Sequence, residues 1–488
     1  MNARDLLKDP VWQGAEVGLP LPDSIHAVSM ALPRWSDVVG YEEKRPEVVD
    51  QLKLGYPRFV FHPLVRELAK QIGQGHPCLP FPSLKVAKIA AAYVRFAGRT
   101  SANLVLGKGV FGVITTDEGT QALKDFWQHT GLIVCSRQAE AALAGRADIA
   151  DAAALRESLR KRLAEFYHCE PDDVFLAPTG MAAQYAALRA VNERRPDWRT
   201  VQMGFPYVDT LKLQQKLGTG THLLHDLDHI EAGLREILSR EQVAAAFCEI
   251  PGNPLLGSAD VRRISPILKQ HGVPLIADDV VASPVNVDLG RYADLIATSL
   301  TKYVAGTCDV MAGALICNPR SPLHAELKAI VRAQHEELLW GGDAAVLAEQ
   351  ARTFPHRMHR HNANGLFIAE KLRAHPLVER VWYPKWEFSE AYEAVRRPQG
   401  GWGSLVTFLP KNAAATAPRI FDALRVCKGP SLGTVFTLAC PFTLLAHYTE
   451  LEWAEACGVP RDLIRVSVGL EEPEELWQRF DAALRAGG

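Results

Sequence analysis

The 488-residue sequence has no surplus of charge of either sign: 54 Lys and Arg stand against 56 Asp and Glu, a formal net charge of −2. No global basic field draws the chain to nucleic acid or to a membrane surface, and neither is expected as a partner. Its nine cysteines form no CxxC pair, which argues against a disulfide framework and for reduced thiols of a cytosol. No stretch approaches the ~18 uncharged apolar residues that a membrane helix needs. The opening MNARDLLKDPVWQG lacks the apolar core of a secretion signal, so a cytoplasmic location is expected. Internal repeats and low-complexity tracts are also missing.

What is there is enough apolar residue, 48% of the chain, for two or three domains with cores of their own. Residues 1–70 are rich in Pro and Trp and read as an extended arm. Residues 71–150 form a small α/β unit: LKVAKIAAAYVRFAG as helix, NLVLGKGVFGVITT as strand, turn and strand, TQALKDFWQHTG as helix. From 151 to 330, β-rich runs (DDVFLAP, TVQMGF, AAAFCEI, VPLIADDV, DLIATSL) alternate with helical segments. That alternation marks an α/β domain with a mostly parallel sheet. Residues 331–488 carry long helices, then VERVWYP, GSLVTFLP, IRVSV and a final helix, which suggests a smaller α+β domain.

Two motifs fail on context. Gly107-Lys-Gly109-Val-Phe-Gly112 matches GxGxxG, but β-branched residues 113–116 follow where a dinucleotide site needs a helix, so a glycine-rich hairpin is expected. His356, His359 and His361 resemble a metal cluster, yet His361 would sit about 200° round a helix from His359. No carboxylate or Cys pair completes the set. A polar helix near a domain junction is the reading, and no metal is expected.

One stretch carries chemistry. SLTKYVAGTCDVMAG places Lys302 behind Ser299 and Thr301, between apolar flanks. Upstream, the strand-like VPLIADDVV puts Asp278 at its C-terminal end, the edge of an open α/β sheet where ligands sit. In DDVFLAPTGMAAQYAALRAV, Thr179 reads as an N-cap and Gly180 opens a helix whose N-terminus is a phosphate cradle. A phosphate seat, a carboxylate and a lysine match what pyridoxal phosphate requires: amides for its phosphate, an anion for its ring nitrogen and an amine for its aldehyde. By spacing alone, the alternative of a surface lysine stays open.

In order along the chain, YPRFVFHP (56–63), TGMAA (179–183), PYVDT (206–210), EIPGNPLL (249–256), ADDVVASP (277–284), SLTKYVAGTCDVMAG, SLGTVFTLACPFTLLAH (431–447) and IRVSVGLEE resemble the blocks of the Cys/Met-metabolism family of pyridoxal-phosphate enzymes, of fold type I. The arm is most similar to the fungal-type cystathionine γ-synthase branch. The resemblance implies a Schiff-base and proton-shuttling role for Lys302. Asp278 would sit on the ring nitrogen, Tyr207 on the ring face and Asn253 on the ring oxygen. Gly180 and Met181 amides with Ser299 and Thr301 hydroxyls would hold the phosphate, and Arg465, with Thr437 nearby, the substrate. Tyr56 and Arg58 would arrive from a neighbouring subunit, which implies at least a dimer and a homotetramer by family habit.

Departures from the family pattern accompany this. Tyr207-Val-Asp209-Thr stands for Tyr-Gly-Gly-Thr and brings in an extra carboxylate. Thr307 replaces a histidine, and Phe61-His62-Pro63 an Asn-Pro-Thr. Phe436-Thr437 replaces a Glu-Ser, and Phe436 cannot hold a second amino group. The 75–135 unit has no counterpart in compact relatives and is expected to cap the site or build a subunit interface. The implied activity is γ-replacement on an O-acyl-homoserine, with small amino acids as substrates and cysteine as nucleophile. The alternatives are a γ- or β-lyase of sulfur amino acids and a sulfhydrylase.

Overall fold

The five β-rich runs of the central segment all enter one seven-stranded sheet. Its order is Val174–Ala177, Gly313–Cys317, Leu295–Ser299, Leu275–Asp278, Ala246–Glu249, Thr200–Met203, Thr221–Leu224. This is a computed structural model, and it describes residues 4–488. Neighbouring strands run parallel, except that Gly313–Cys317 is antiparallel to both its partners. The strands are short and apolar because helices cover both faces. Alternate residues feed two cores. Phe247, Ile276 and Leu315 pack with Ala187 and Leu188 on one side, and Val201, Leu275 and Ile296 with Leu159 and Leu163 on the other.

The helix Gly180–Arg194 follows the first strand directly. Thr179 is extended, and its hydroxyl accepts the Ala182 N–H at 3.0 Å, which starts the helix at the sheet edge. In the smaller C-terminal sheet the order is Val378–Trp382, Leu405–Pro410, Ile464–Ser467, Leu438–Cys440, Cys427–Lys428. It hangs Arg465 over the same edge.

The 71–150 segment holds a three-stranded antiparallel sheet, Cys78–Phe81, Val110–Thr115 and Ala102–Gly107, with helices Leu84–Ala97 and Thr120–Thr130. Lys108 and Gly109 sit at the hairpin tip with φ of 55° and 75°, the left-handed pair such a tip requires. GKGVFG is therefore a hairpin with strand after it. The core of this unit is continuous with the large sheet's: Phe126 meets Tyr185 of the Gly180–Arg194 helix edge to face, centroids 6.4 Å apart.

The arm is less extended than expected. It contains helices Trp35–Glu42 and Pro46–Val49 and lies on its own chain, with Val28 N–H donating to Cys308 O and Leu32 N–H to Lys428 O, both at 2.9 Å. The PHRMHRHN segment lies in the helix Phe354–Ala374. His361 is buried there, its Nδ1–H on Val468 O at 2.9 Å, while His356 and His359 face outward. Among the described residues no group of His, Cys, Asp and Glu is placed to hold a metal ion, and no helix is long and apolar enough to cross a membrane.

Candidate active site

Ser299, Asp278 and Glu249 are the last residues of three adjacent strands, and Gly180 begins the helix that starts above them. Together they wall a cavity of about 180 Å³, closed by Tyr56 and Arg58 of the arm and by Arg465. Lys302 follows the Ser299 strand by a single turn and points into this space. Its Nζ donates to Ser431 Oγ at 2.9 Å and to Tyr56 OH at 3.3 Å, and lies 4.7 Å from the centre of the Tyr56 ring. Burial would push the Tyr56 phenol up, but the Lys302 and Arg58 cations bring it below its ordinary value.

Asp278 keeps part of its surface on the cavity. Its Oδ1 accepts the Val280 N–H at 2.7 Å and its Oδ2 the Gln184 amide at 2.8 Å. Burial pushes the carboxyl up to about 7, against those bonds, and the adjacent Asp279 adds to the rise. Among the described residues no Lys or Arg salt-bridges it, and none is among the causes of its shift. Glu249 accepts the Tyr207 N–H at 2.5 Å; burial and then the Asp278 charge raise it to about 8.

On the other wall, Tyr207 precedes the helix Val208–Leu217. Its hydroxyl accepts from Arg58 Nη2 at 2.5 Å, and Arg58 Nη1 binds Asp209 Oδ2 at 2.5 Å. Asp209 is wholly buried, and Arg58 with His129 holds its carboxyl far below the usual range despite that burial. Arg465 donates Nη1 to Asn253 Oδ1 at 3.2 Å and Nη2 to Ser431 O at 2.7 Å, while its buried Nε has no partner. Arg465 therefore arrives oriented, with donor capacity left for a carboxylate.

Ten of the twelve expected site residues line this one cavity; Thr301 and Thr437 do not. The Thr301 hydroxyl is buried and used locally, donating to Ala312 O at 3.2 Å and accepting Ala312 N–H at 3.0 Å. It fastens the lysine turn and is not free for a phosphate. Thr437 is buried behind the wall, its hydroxyl on Glu471 at 2.8 Å and its N–H on the same carboxylate at 2.6 Å. Tyr56 and Arg58, for which the resemblance implies a neighbouring subunit, reach the cavity of their own chain in this single-chain structure.

Gln184, Glu249 and Ser431 belong to the site and escape the sequence reading. Signals exist for two of them. Gln184 is four residues after Gly180 on one helix face, and Glu249 ends a strand at the edge that carries Asp278. Ser431 opens the 431–447 block that resembles the family's, but lies in a loop where no strand end or helix face marks it.

Comparison with known proteins identifies the family of the chain. The sequence profile of the family described as Cys/Met metabolism PLP-dependent enzymes matches residues 152–485. A cystathionine γ-synthase of Neurospora crassa is 32% identical across 96% of this chain and 98% of its own length. An L-2-amino-4-chloropent-4-enoate dechlorinase/desaturase of Streptantibioticus cattleyicolor is 33% identical across 96% and 98%. Among solved structures, a cystathionine γ-lyase from Micromonospora echinospora is 29% identical with a TM-score of 0.60, covering 68% of this chain and 87% of its own. A cystathionine γ-synthase from Xanthomonas oryzae, in complex with aminoacrylate and cysteine, is 27% identical with a TM-score of 0.60, over 68% and 86%.

Proposed function

Since the chain belongs to the Cys/Met-metabolism family of pyridoxal-phosphate-dependent enzymes, we propose that it catalyses γ-replacement on an O-acyl-homoserine, with a thiol such as cysteine as nucleophile. The observation that carries this reading is the convergence of Lys302, Asp278, Tyr207, Arg465 and the Gly180 helix N-terminus on one cavity.

The residues fit the cofactor on their own chemistry. Asp278 is a half-buried carboxylate with no cationic partner, and a protonated pyridine nitrogen would supply one. Thr179 takes the Ala182 amide on its hydroxyl and the Ala183 amide on its carbonyl, so the Gly180 and Met181 amides remain for a phosphate. A Cβ at Gly180 would lie 2.6 Å from Ser299 Cβ, so only glycine lets this turn close on the strand end. Lys302 is the amine, and Asn253 and Tyr207 line the space between. When bound, pyridoxal phosphate supplies an electron sink for negative charge at the substrate's Cα.

Arg465 holds the substrate α-carboxylate with its remaining N–H groups and thereby presents the Cα–H bond to the Lys302 side. Lys302 Nζ takes the Cα proton, and the Tyr56 hydroxyl at 3.3 Å accepts or returns one. Ser431 Oγ keeps the amine in place between those transfers. Phe442, Leu445 and Ala446 line the wall near Arg465 and keep it apolar, which favours a compact nucleophile and excludes water.

One second reading is elimination without a thiol. Phe436, which stands in the sequence where the family pattern has a Glu, is buried outside the cavity lining, so no acidic side chain from that position meets a second amino group. Incubation of purified protein with O-succinyl-, O-acetyl- and O-phosphohomoserine, each with cysteine, sulfide or nothing, separates the two by mass spectrometry. A thioether product supports replacement; 2-oxobutyrate formed at the same rate with and without thiol overturns it.

A further inference from the structure

The 71–150 segment ends its helix Thr120–Thr130 against three separate parts of the cavity wall. Trp127 Nε1–H donates to Pro57 O at 3.1 Å, and Arg58 Nη1 donates to Gln128 O at 2.7 Å, so this turn grips the arm beside its functional arginine. Thr179, the cap of the phosphate-side helix, donates its hydroxyl to Gly131 O at 3.0 Å. Gly131 has φ +62°, and a Cβ there would fall 2.1 Å from that hydroxyl, so the close approach requires glycine. Finally, Gln128 Nε2 lies 3.0 Å and His129 Nδ1 3.1 Å from Asp209 Oδ1.

Asp209 is the hub of these contacts. Its Oδ1 faces the Gln128 and His129 donors, and its Oδ2 takes Arg58 Nη1 at 2.5 Å and the Tyr207 hydroxyl at 3.2 Å. Both Nη1 hydrogens of Arg58 are thus fixed by the scaffold, on Gln128 O and Asp209, and one Nη2 hydrogen by Tyr207. The second Nη2 hydrogen and Nε–H are left for a ligand. A planar fork pinned along one edge presents the other edge in a single orientation.

We propose that the C-terminal turn of this helix, acting through Asp209, sets the positions of Arg58 and Tyr207, and that Asp209 and His129 are positioning residues of the active site. The assignment rests on the reading of the cavity as the cofactor site. The inserted segment then serves as a brace, holding within one chain the arm and the tyrosine that the cofactor must meet.

The test compares wild type with Asp209→Asn, His129→Leu, Arg58→Ala and the Asp209→Asn/Arg58→Ala double variant. In the cofactor-free proteins, amide hydrogen exchange across residues 54–60 is expected to rise in Asp209→Asn and, less, in His129→Leu. With pyridoxal phosphate added, Asp209→Asn is expected to lose most of the cofactor's visible circular dichroism. Its kcat should fall about 10²-fold, with little change in KM, as for a small misplacement near the reacting groups. In the Arg58→Ala background the same substitution should add little, because its effect runs through Arg58. Wild-type exchange and dichroism in Asp209→Asn and His129→Leu would overturn the proposal, as would a kcat loss undiminished in the Arg58→Ala background. Should Asp209→Asn not fold, His129→Leu combined with Arg58→Ala completes the same cycle. Wild-type protein that binds no pyridoxal phosphate would overturn the reading of the cavity instead, while the exchange measurement still judges the scaffold.

Discussion

Two aspartates serve one cavity, Asp278 lining it and Asp209 buried behind Tyr207 and Arg58, and their surroundings push them in opposite directions. Asp209 is wholly buried yet strongly acidic, because Arg58 and His129 meet it inside the protein. Asp278 keeps an open edge on the cavity yet is raised to about 7, because it has only amide donors and a neighbouring Asp279. The depth of burial does not explain the difference; the presence of a cation does. A carboxylate whose charge is answered within the fold serves to hold other groups in place. A carboxylate left unanswered at a sheet edge is a socket for a positive charge that comes with a ligand. The same cavity therefore separates its structural anion from its functional one.

The largest expected effect breaks the socket. Asp278→Asn keeps the shape and the Gln184 contact but removes the charge, and turnover should fall about 10²–10³-fold, as when one preorganised electrostatic partner is lost. Steady-state kinetics measure it, and near-wild-type turnover would remove the functional distinction between the two aspartates. A second, smaller effect reads the two groups by pH in the cofactor-free protein. Asp278 has a folded value of about 7 against an ordinary 3.8. The folded state keeps a proton that the unfolded chain gives up, so stability falls as pH rises from about 4 to 7 and is flat above. Glu249 and Asp279, also raised, add to that slope. Asp209 is depressed, so its contribution is complete above its ordinary 3.8 and is lost only below it. Asp278→Asn should therefore flatten the decline of Tm between pH 4 and 7, whereas Asp209→Asn should lower Tm by a similar amount throughout that range. Equal slopes in the two variants, by scanning fluorimetry, would contradict the opposite shifts.

How much of this is legible in the sequence depends on whether a residue's partners are local. The five strands announce themselves as short apolar runs because both faces of the sheet are covered. Lys302, Asp278 and Gly180 follow from their places at strand ends, a rule that depends only on sequence order within each β–α unit. The same rule applies to Glu249, whose strand end carries no other mark of a ligand. Thr301 and Thr437 have the right chemistry in the right blocks, but Ala312 and Glu471, brought in by the fold, occupy their hydroxyls. Asp209 is visible as a departure from the family's pattern two residues beyond Tyr207. Its meaning is not visible, since Arg58, Gln128 and His129 come from distant segments whose packing no periodicity reports.

The arm poses the sharpest question of this kind, because the contrast between the aspartates requires Arg58 to belong to the chain that holds Asp209. If Arg58 came from a partner, Asp209 in a lone chain would keep His129, Gln128 and the Tyr207 hydroxyl beside it and would resemble Asp278 far more closely. Two strongly impaired variants decide the matter. Arg58→Ala and Lys302→Ala are prepared separately, mixed, unfolded and refolded together. Sites shared across subunits would regain activity in the mixture, since some would draw an intact arm from one chain and an intact lysine from the other. Sites closed within one chain, as Tyr56 OH 3.3 Å from Lys302 Nζ places them, should show no recovery above the sum of the two variants alone. The expected change is nil, which makes any recovered turnover decisive against the arm's position and against the pairing that keeps Asp209 ionised.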